Sequence, residues 1–348
     1  VFVPGSSSLL FISDRDGGRD VYELALARSG HARGEPVRVT TGLSPNRIAL
    51  SADGTRLAWS VSSESSNIWS VPIPDRDSIS LAEATPITSG TQTIETMGIS
   101  PDGAWLYYDS DARGNADIWR IPVRGGRAAG EAEQVTTDSA GEFSPDVSPD
   151  GREIVFHSFR NGNRDIYVAP AAGGSEQRVT TSPKHDWNPH WLPGGNSILF
   201  DNQEDLDAPL QTVARGADGT WGAPRAYPYR GRASMTRPSP DGRLVAFTAA
   251  GTWILDVAAK AARPVARTGG WLAWHPDGNG VYYVTSDSAR SVIIRLVKIP
   301  GLEHRTVVYA PPTDRRTYRY GLTATRDRFY VPLFDSKADV WVAELARR

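Results

Sequence analysis

Apolar residues in this chain fall in short runs of three to five, separated by polar turns, and the same order of runs returns along its whole length. Leu9-Leu10-Phe11-Ile12, Trp105-Leu106-Tyr107-Tyr108, Ile154-Val155-Phe156 and Val281-Tyr282-Tyr283-Val284 are examples. Short continuous runs of this kind suit strands covered on both faces. A tight turn precedes them. Close copies stand at Ser100-Pro101-Asp102-Gly103, Ser148-Pro149-Asp150-Gly151 and Ser239-Pro240-Asp241-Gly242, with looser ones at Ser51-Ala52-Asp53-Gly54, Leu192-Pro193-Gly194-Gly195 and His275-Pro276-Asp277-Gly278. Proline presets φ and the Asp-Gly that follows tolerates φ > 0, so each turn predicts a hairpin.

The first apolar residue after each turn gives the series Leu9, Leu57, Leu106, Ile154, Ile198, Val245, Val281 and Phe329, spaced 36 to 49 residues apart. A period in the forties with several strands per unit is the pattern of a β-propeller blade. The most regular unit reads as four strands, over 143–147, 154–157, 166–169 and 177–180. Third strands recur at Val21-Tyr22, Ile68-Trp69, Ile118-Trp119, Ile166-Tyr167 and Val340-Trp341. The fifth unit is weaker, with an acidic loop at 204–207 before its third strand, and the sixth has lost its hairpin loop. The expectation is an all-β, eight-bladed propeller of four-stranded antiparallel blades, or seven blades if one weak unit only packs. It is expected to be a single domain over 1–348, excised from a longer chain because Val1-Phe2-Val3 begins in mid-repeat.

Composition adds mostly exclusions. A 39% hydrophobic content with eleven Trp and twelve Tyr is ample for a core. A formal charge of −2 supplies no field for nucleic acid or anionic lipid. The chain has no Cys, which removes disulfides, thiolate nucleophiles and Cys-based metal sites. No apolar run approaches the roughly 18 residues that span a bilayer.

Candidate chemistry is sparse. There is no Gly-x-Ser-x-Gly, and Gly98-Ile99-Ser100-Pro101-Asp102-Gly103 has the wrong spacing for one. No Gly-rich loop joins a strand to a helix to cradle phosphate. The acid or amide heading each third strand (Asp20, Asn67, Asp117, Asp165, Asp339) reads as a turn cap rather than a calcium ligand. Trp59, Trp69, Trp105 and Trp119 sit within blade strands and read as core.

The strand before each turn carries more. Counting back from the turn's first residue, minus two is Ala49, Gly98, Asp146, His190, Arg237, Ala273 and Gly321. Minus four is Arg47, Thr96, Ser144, Asn188, Met235, Trp271 and Arg319, and Glu142 and Asp186 stand at minus six. Period 2 puts these on one face, small or polar, which should line the axial channel. That lining is either plain hydrated channel or a ligand pocket. The pocket candidates are Arg47, Glu142, Asp146, Asp186, Asn188, His190, Arg237, Trp271 and Arg319. Asp186, Asn188 and His190 share a face, but strand residues four apart lie roughly 13 Å apart, too far to ligate one ion without help from another blade such as Asp146. No catalytic residue, metal or cofactor is expected.

The stretches His157-Ser158-Phe159-Arg160-Asn161-Gly162-Asn163-Arg164-Asp165-Ile166-Tyr167 and Ile12-Ser13-Asp14-Arg15-Asp16-Gly17-Gly18-Arg19-Asp20-Val21-Tyr22, with the Ser-Pro-Asp-Gly turns, resemble the TolB-like β-propeller repeat, a WD40-related motif of bacterial proteins. The likeness covers nearly the whole chain, although six blades are usual in TolB. The chain also resembles the extracytoplasmic C-terminal propellers of bacterial transmembrane Ser/Thr kinases. This implies a periplasmic or extracellular, non-catalytic sensor or interaction module that binds a protein or small ligand at the channel mouth. As an isolated domain it should be a monomer, without nucleic acid or membrane insertion. Two alternatives stay open: a metal-dependent lyase- or hydrolase-type propeller enzyme using the Asp146/Asp186/His190 region, and a structural propeller accompanying a catalytic domain elsewhere.

Overall fold

The repeated turn folds as its chemistry dictates. In the computed structural model, the Ser148 hydroxyl donates to Asp150 Oδ1 (2.6 Å) and accepts the Glu153 N–H (3.0 Å), while Asp150 Oδ1 accepts the Arg152 N–H (3.1 Å). Gly151 closes the turn at φ +74°, a region that costs a Cβ-bearing residue strain. Ser51, Ser100 and Ser239 build the same network with Asp53, Asp102 and Asp241. Each such turn joins an inner strand to a second strand.

The structure describes residues 1–202, 210–286, 292–311, 317–318 and 320–345. The chain divides into two compact units, Val1–Glu64 with Ser336–Arg348, and Ser65–Asp335. Among the described residues, the larger unit holds six sheets, antiparallel but for one added parallel strand. Blade one runs Met97–Ile99, Trp105–Ser110, Asp117–Arg124, with Glu133–Gln134 outside. Blade two runs Glu142–Val147, Glu153–Ser158, Asp165–Pro170, Gln177–Arg178. Blades three, four and five begin at the inner strands Trp187–Trp191, Ser234–Pro238 and Leu272–Trp274. Blade six is composite: Thr323–Ala324 pairs with the larger unit's part of Arg328–Glu344, which pairs with its part of Arg56–Pro72, and Thr85–Pro86 lies outside.

The inner strands touch in sequence, one to six, and the sixth touches the first. That closed cycle makes the larger unit a six-bladed ring. All eight second strands of the sequence pattern are present: six belong to this ring, whereas those at Leu9 and Leu57 belong to the smaller unit. Six of the eight strand units thus stand in the closed cycle, and two stand in the smaller unit.

The continuous apolar runs follow from this stacking. In blade two, Ile154 and Phe156 pack on Tyr107 and Ile118 of blade one. Val155, between them and pointing the other way, packs with Ile198 and Phe200 of blade three. Every position of the run is buried, and each such side chain contributes about 1.5–3 kcal/mol. A strap from the chain before blade one also covers a blade edge. Ile79–Ser80 pairs in parallel with His304–Tyr309 of blade five, and Leu81 is fully buried in the adjoining core.

The smaller unit contains the sheet Ser8–Ser13, Asp20–Ala25, Val37–Arg38, and the strand Arg47–Leu50 paired with the first part of Arg56–Pro72. Its core is Leu10, Val21 and Leu57, with Ile48, Leu50, Trp59 and Leu345 against them.

Two hairpins suggested by the repeat do not turn. Residues 56–72 and 328–344 each run as one strand. In the larger unit the Ile73 N–H donates to the Asp327 carbonyl (2.8 Å), and in the smaller the Leu345 N–H donates to the Thr55 carbonyl (2.8 Å). The hairpins that do turn contain Gly17, Gly114 and Gly162, at φ +88°, +112° and +85°. The segments 62–67 and 335–339 have no glycine to adopt that conformation. Consequently Ile68-Trp69 completes blade six, and Val340-Trp341 lies in the smaller unit, exposed.

Candidate functional site

Three successive inner strands of the ring share a departure from regular pairing. Register slips between Phe143 and Asp146 in blade two, between Trp187 and His190 in blade three, and between Ser234 and Arg237 in blade four. At each slip the minus-four residue is left-handed: Ser144 at φ +57°, Asn188 at +50° and Met235 at +54°. These are β-bulges, which re-aim side chains. Period 2 holds back to minus two and fails beyond it.

Two buried carboxylates brace these bulges. Asp201, at the end of the second strand of blade three, accepts the Thr236 hydroxyl (2.6 Å) of blade four and the Asn188 Nδ2 amide (3.1 Å) of its own blade. Asp109 in blade one accepts the Glu95 N–H (2.6 Å) and Thr96 N–H (3.0 Å), and Thr96 Oγ1 in turn accepts the Ser144 N–H of blade two (2.9 Å). Burial pushes both carboxyls up to about 7, against the hydrogen bonds that favour the charged form.

With the bulges in place, the minus-two side chains of blades two, three and four form a line that ends on Trp271, the minus-four residue of blade five. Asp146 Oδ2 lies 3.4 Å from His190 Nδ1 and accepts the Trp191 N–H (2.9 Å). The His190 Nε2 atom is in direct contact with Arg237 Nη1, and the Arg237 guanidinium carbon sits 5.7 Å from the centre of the Trp271 ring. His190 is 4% exposed, and burial followed by the Arg237 charge holds its pKa down at about 4. A neutral imidazole with Nδ1–H towards Asp146 and a lone pair towards Arg237 fits this arrangement.

The other candidates stand apart from this line. Glu142 is fully buried and pairs with Arg160, which also holds Glu176 (2.5 Å) and Asp138 (3.7 Å); burial pushes the Glu142 carboxyl up to about 7. Asp186 accepts the Asn202 amide (2.9 Å), and Asn188 serves Asp201. Arg47 is an exposed residue of the smaller unit's Arg47–Leu50 strand. Arg319, like the acidic loop 204–207, lies outside the described residues. The acids heading third strands bond to outer-strand donors: Asp20 to Thr40 Oγ1 (3.1 Å) and Arg38, Asp165 to Arg178 (2.6 Å) and Asp117 to Gln134 (3.0 Å). Among the described residues, no group of three His, Asp or Glu is placed to hold a metal ion.

Beyond Trp271, at the end of the ring away from the Pro-Asp-Gly turns, lies a cavity of about 180 Å³. Five blades contribute to it: Glu95 and Thr96 from blade one, Phe143, His157 and Arg164 from two, Trp187 from three, Trp271 from five and Tyr320 from six. Phe143 stacks on His157 with ring centres 5.8 Å apart, and Tyr320 meets Trp271 edge-on at 6.0 Å. Asp109, Asp201, His157, Arg164 and Trp187 escape a sequence reading built on inner strands. The available signals were an acid ending an apolar strand (Tyr108-Asp109, Phe200-Asp201) and an arginine in a loop flanked by aromatic residues.

No family model matches the chain. Over 190 residues it is 29% identical to an uncharacterized protein of Agrobacterium fabrum, an alignment covering 49% of this chain and 48% of that one. The chain thus spans about half the length of that curated relative. Among solved structures, a putative TolB from Agrobacterium tumefaciens superposes with a TM-score of 0.58 at 19% identity, covering 78% of this chain and 99% of that one. TolB from Acinetobacter baumannii gives 0.56 at 15% identity, covering 93% and 79%. Among the described residues no helix is long and apolar enough to cross a membrane. All-β sheets, a closed ring of inner strands and these neighbours together show that the chain carries a TolB-like β-propeller fold.

Proposed function

We propose that the chain is a non-catalytic binding propeller, a sensor or interaction module that engages a protein or small ligand at the mouth of the ring. The observation that carries this is the line Asp146–His190–Arg237–Trp271, which ends in an aromatic cavity shared by five blades. An enzyme needs acid, base or nucleophile converging on one reacting atom. A line of charge and aromatic surface instead offers complementarity to something that enters along the axis. Concave sites with a few placed polar groups among aromatic side chains are the usual form of ligand pockets.

Thermal-shift screening of the full chain against small molecules and peptides tests this. The expected result is at least one compound that raises the unfolding midpoint of the wild type and not that of Arg237→Ala. Hits insensitive both to Arg237→Ala and to changes at Trp187 would contradict it. By the resemblance of its repeats, the module is assigned to the extracytoplasmic side of a bacterial signalling protein. Alkaline phosphatase fused after residue 348 of the full-length gene product should therefore be active, and an inactive fusion would argue against that location.

A further inference from the structure

Three side chains that line the mouth cavity carry polar atoms that the fold leaves without partners. Arg164 Nε, His157 Nδ1 and Trp271 Nε1 are all buried with no hydrogen-bond partner among the described residues, and all three side chains line the same 180 Å³ space. His157 is 4% exposed and Trp271 5%. Leaving such a group unsatisfied is costly, and three of the buried polar atoms without a partner belong to side chains that meet at this one cavity.

The chemistry of the three points to an anion. An arginine N–H and an indole N–H can only donate. His157 is kept neutral by burial, with a pKa near 3, and can donate from Nδ1 as one of its tautomers. The Arg164 guanidinium carbon lies 4.8 Å from the Phe159 ring centre and 5.4 Å from that of Trp187. These two rings position the cation. Among the described residues no carboxylate lies within ion-pair distance of it, although the Glu95 charge acts on it across the cavity.

We propose that this cavity binds a carboxylate carried on a short apolar or aromatic body, rests of which lie against Phe143, Trp187 and Tyr320. Planar bidentate contact is what a guanidinium offers a carboxylate. Glu95 lines the same space, and its carboxylate repels a phosphate dianion more than a single negative charge. At about 30 Å³ per water, the volume corresponds to roughly six waters, the scale of one amino-acid side chain or chain end. This deepens the binding reading above and rests on it.

Calorimetric titration of the full chain with 3-phenylpropionate and with 3-phenylpropionamide is the test. The acid should bind at least tenfold more tightly than the amide. Arg164→Gln should abolish that preference, and Trp271→Phe, which removes the N–H together with part of the indole ring, should weaken the acid several-fold more than the amide. Competition then identifies the source. Displacement by a C-terminally amidated peptide containing one Glu points to an acidic side chain, displacement only by a peptide ending in a free Phe carboxylate points to a chain end, and displacement by neither points to a free small acid; each upholds the site. Equal affinity for acid and amide, no binding of the acid, or acid binding unchanged in Arg164→Gln overturns it. A screening hit lost in Arg237→Ala would survive that failure, so the two readings fall separately.

Discussion

The two halves of the inner ring solve the same packing problem in opposite ways. In blades two, three and four the minus-two residues are Asp146, His190 and Arg237, and each strand carries a left-handed bulge. In blades five, six and one they are Ala273, Gly321 and Gly98, and the pairings of Leu272–Trp274 and Met97–Ile99 show no slip. The small residues are small for a steric reason. A Cβ on Gly98 would lie 2.7 Å from the Pro145 carbonyl oxygen, and one on Gly321 would lie 2.8 Å from that of Glu95. Small and polar positions thus look alike in a period-2 count yet do different work: one lets neighbouring strands approach closely, the other links Asp146, His190 and Arg237 side by side.

The largest effect should come from filling the small half. Gly98→Val must displace backbone, and is expected to cost about 3 kcal/mol in chemical denaturation. A loss under about 1 kcal/mol would mean that blades one and two are not packed this closely. Next come the braces of the bulged half. Asp201→Ala strands the Thr236 hydroxyl and Asn188 amide, and should cost about 2 kcal/mol. An unchanged midpoint would show that the bulges hold themselves.

A smaller effect is the pH response. Asp109, Asp201 and Glu142 are raised to about 7, so the stability tied to their protonation is complete below their unfolded values near 4 and is lost as pH rises through about 7. His157 and His190 are depressed to about 3 and 4; their contribution is complete above about 6.5 and is lost as pH falls through the folded values. Acidification from pH 8 to 6.5 should therefore raise the urea midpoint, because only the carboxyls respond there. Asp109→Asn with Asp201→Asn should flatten that slope, and an unaltered slope in the double variant would assign it elsewhere. The smallest effect is electrostatic: Arg237→Ala removes the charge beside His190 and should move its titration upward, as read by histidine NMR.

Much of this fold could be read from the sequence because the Pro-Asp-Gly turns are local chemistry, repeated with the same serine and aspartate. The minus-two line could be read for the same reason, since it lies two residues from a recognisable turn. What could not be read depends on contacts between repeats. Nothing in Ile68-Trp69 or Val340-Trp341 says which second strand each will pair with, so the straight strands over 56–72 and 328–344 were hidden behind an eight-unit count. The bulges at Ser144, Asn188 and Met235 are held by acids from other strands, and Glu142 turns to Arg160 instead of continuing the line. Arg164 looked like one more residue of a hairpin loop, because its neighbour Trp187 comes from the next blade.

The polar half holds two buried imidazoles, His190 in the line and His157 at the mouth, and both report on their burial directly. A pH titration of the full chain by histidine-selective NMR should show His157 and His190 neutral down to about pH 5. Either ring titrating near the ordinary value of about 6.5 would place it in open solvent and contradict the burial of His157 at the mouth and of His190 between Asp146 and Arg237.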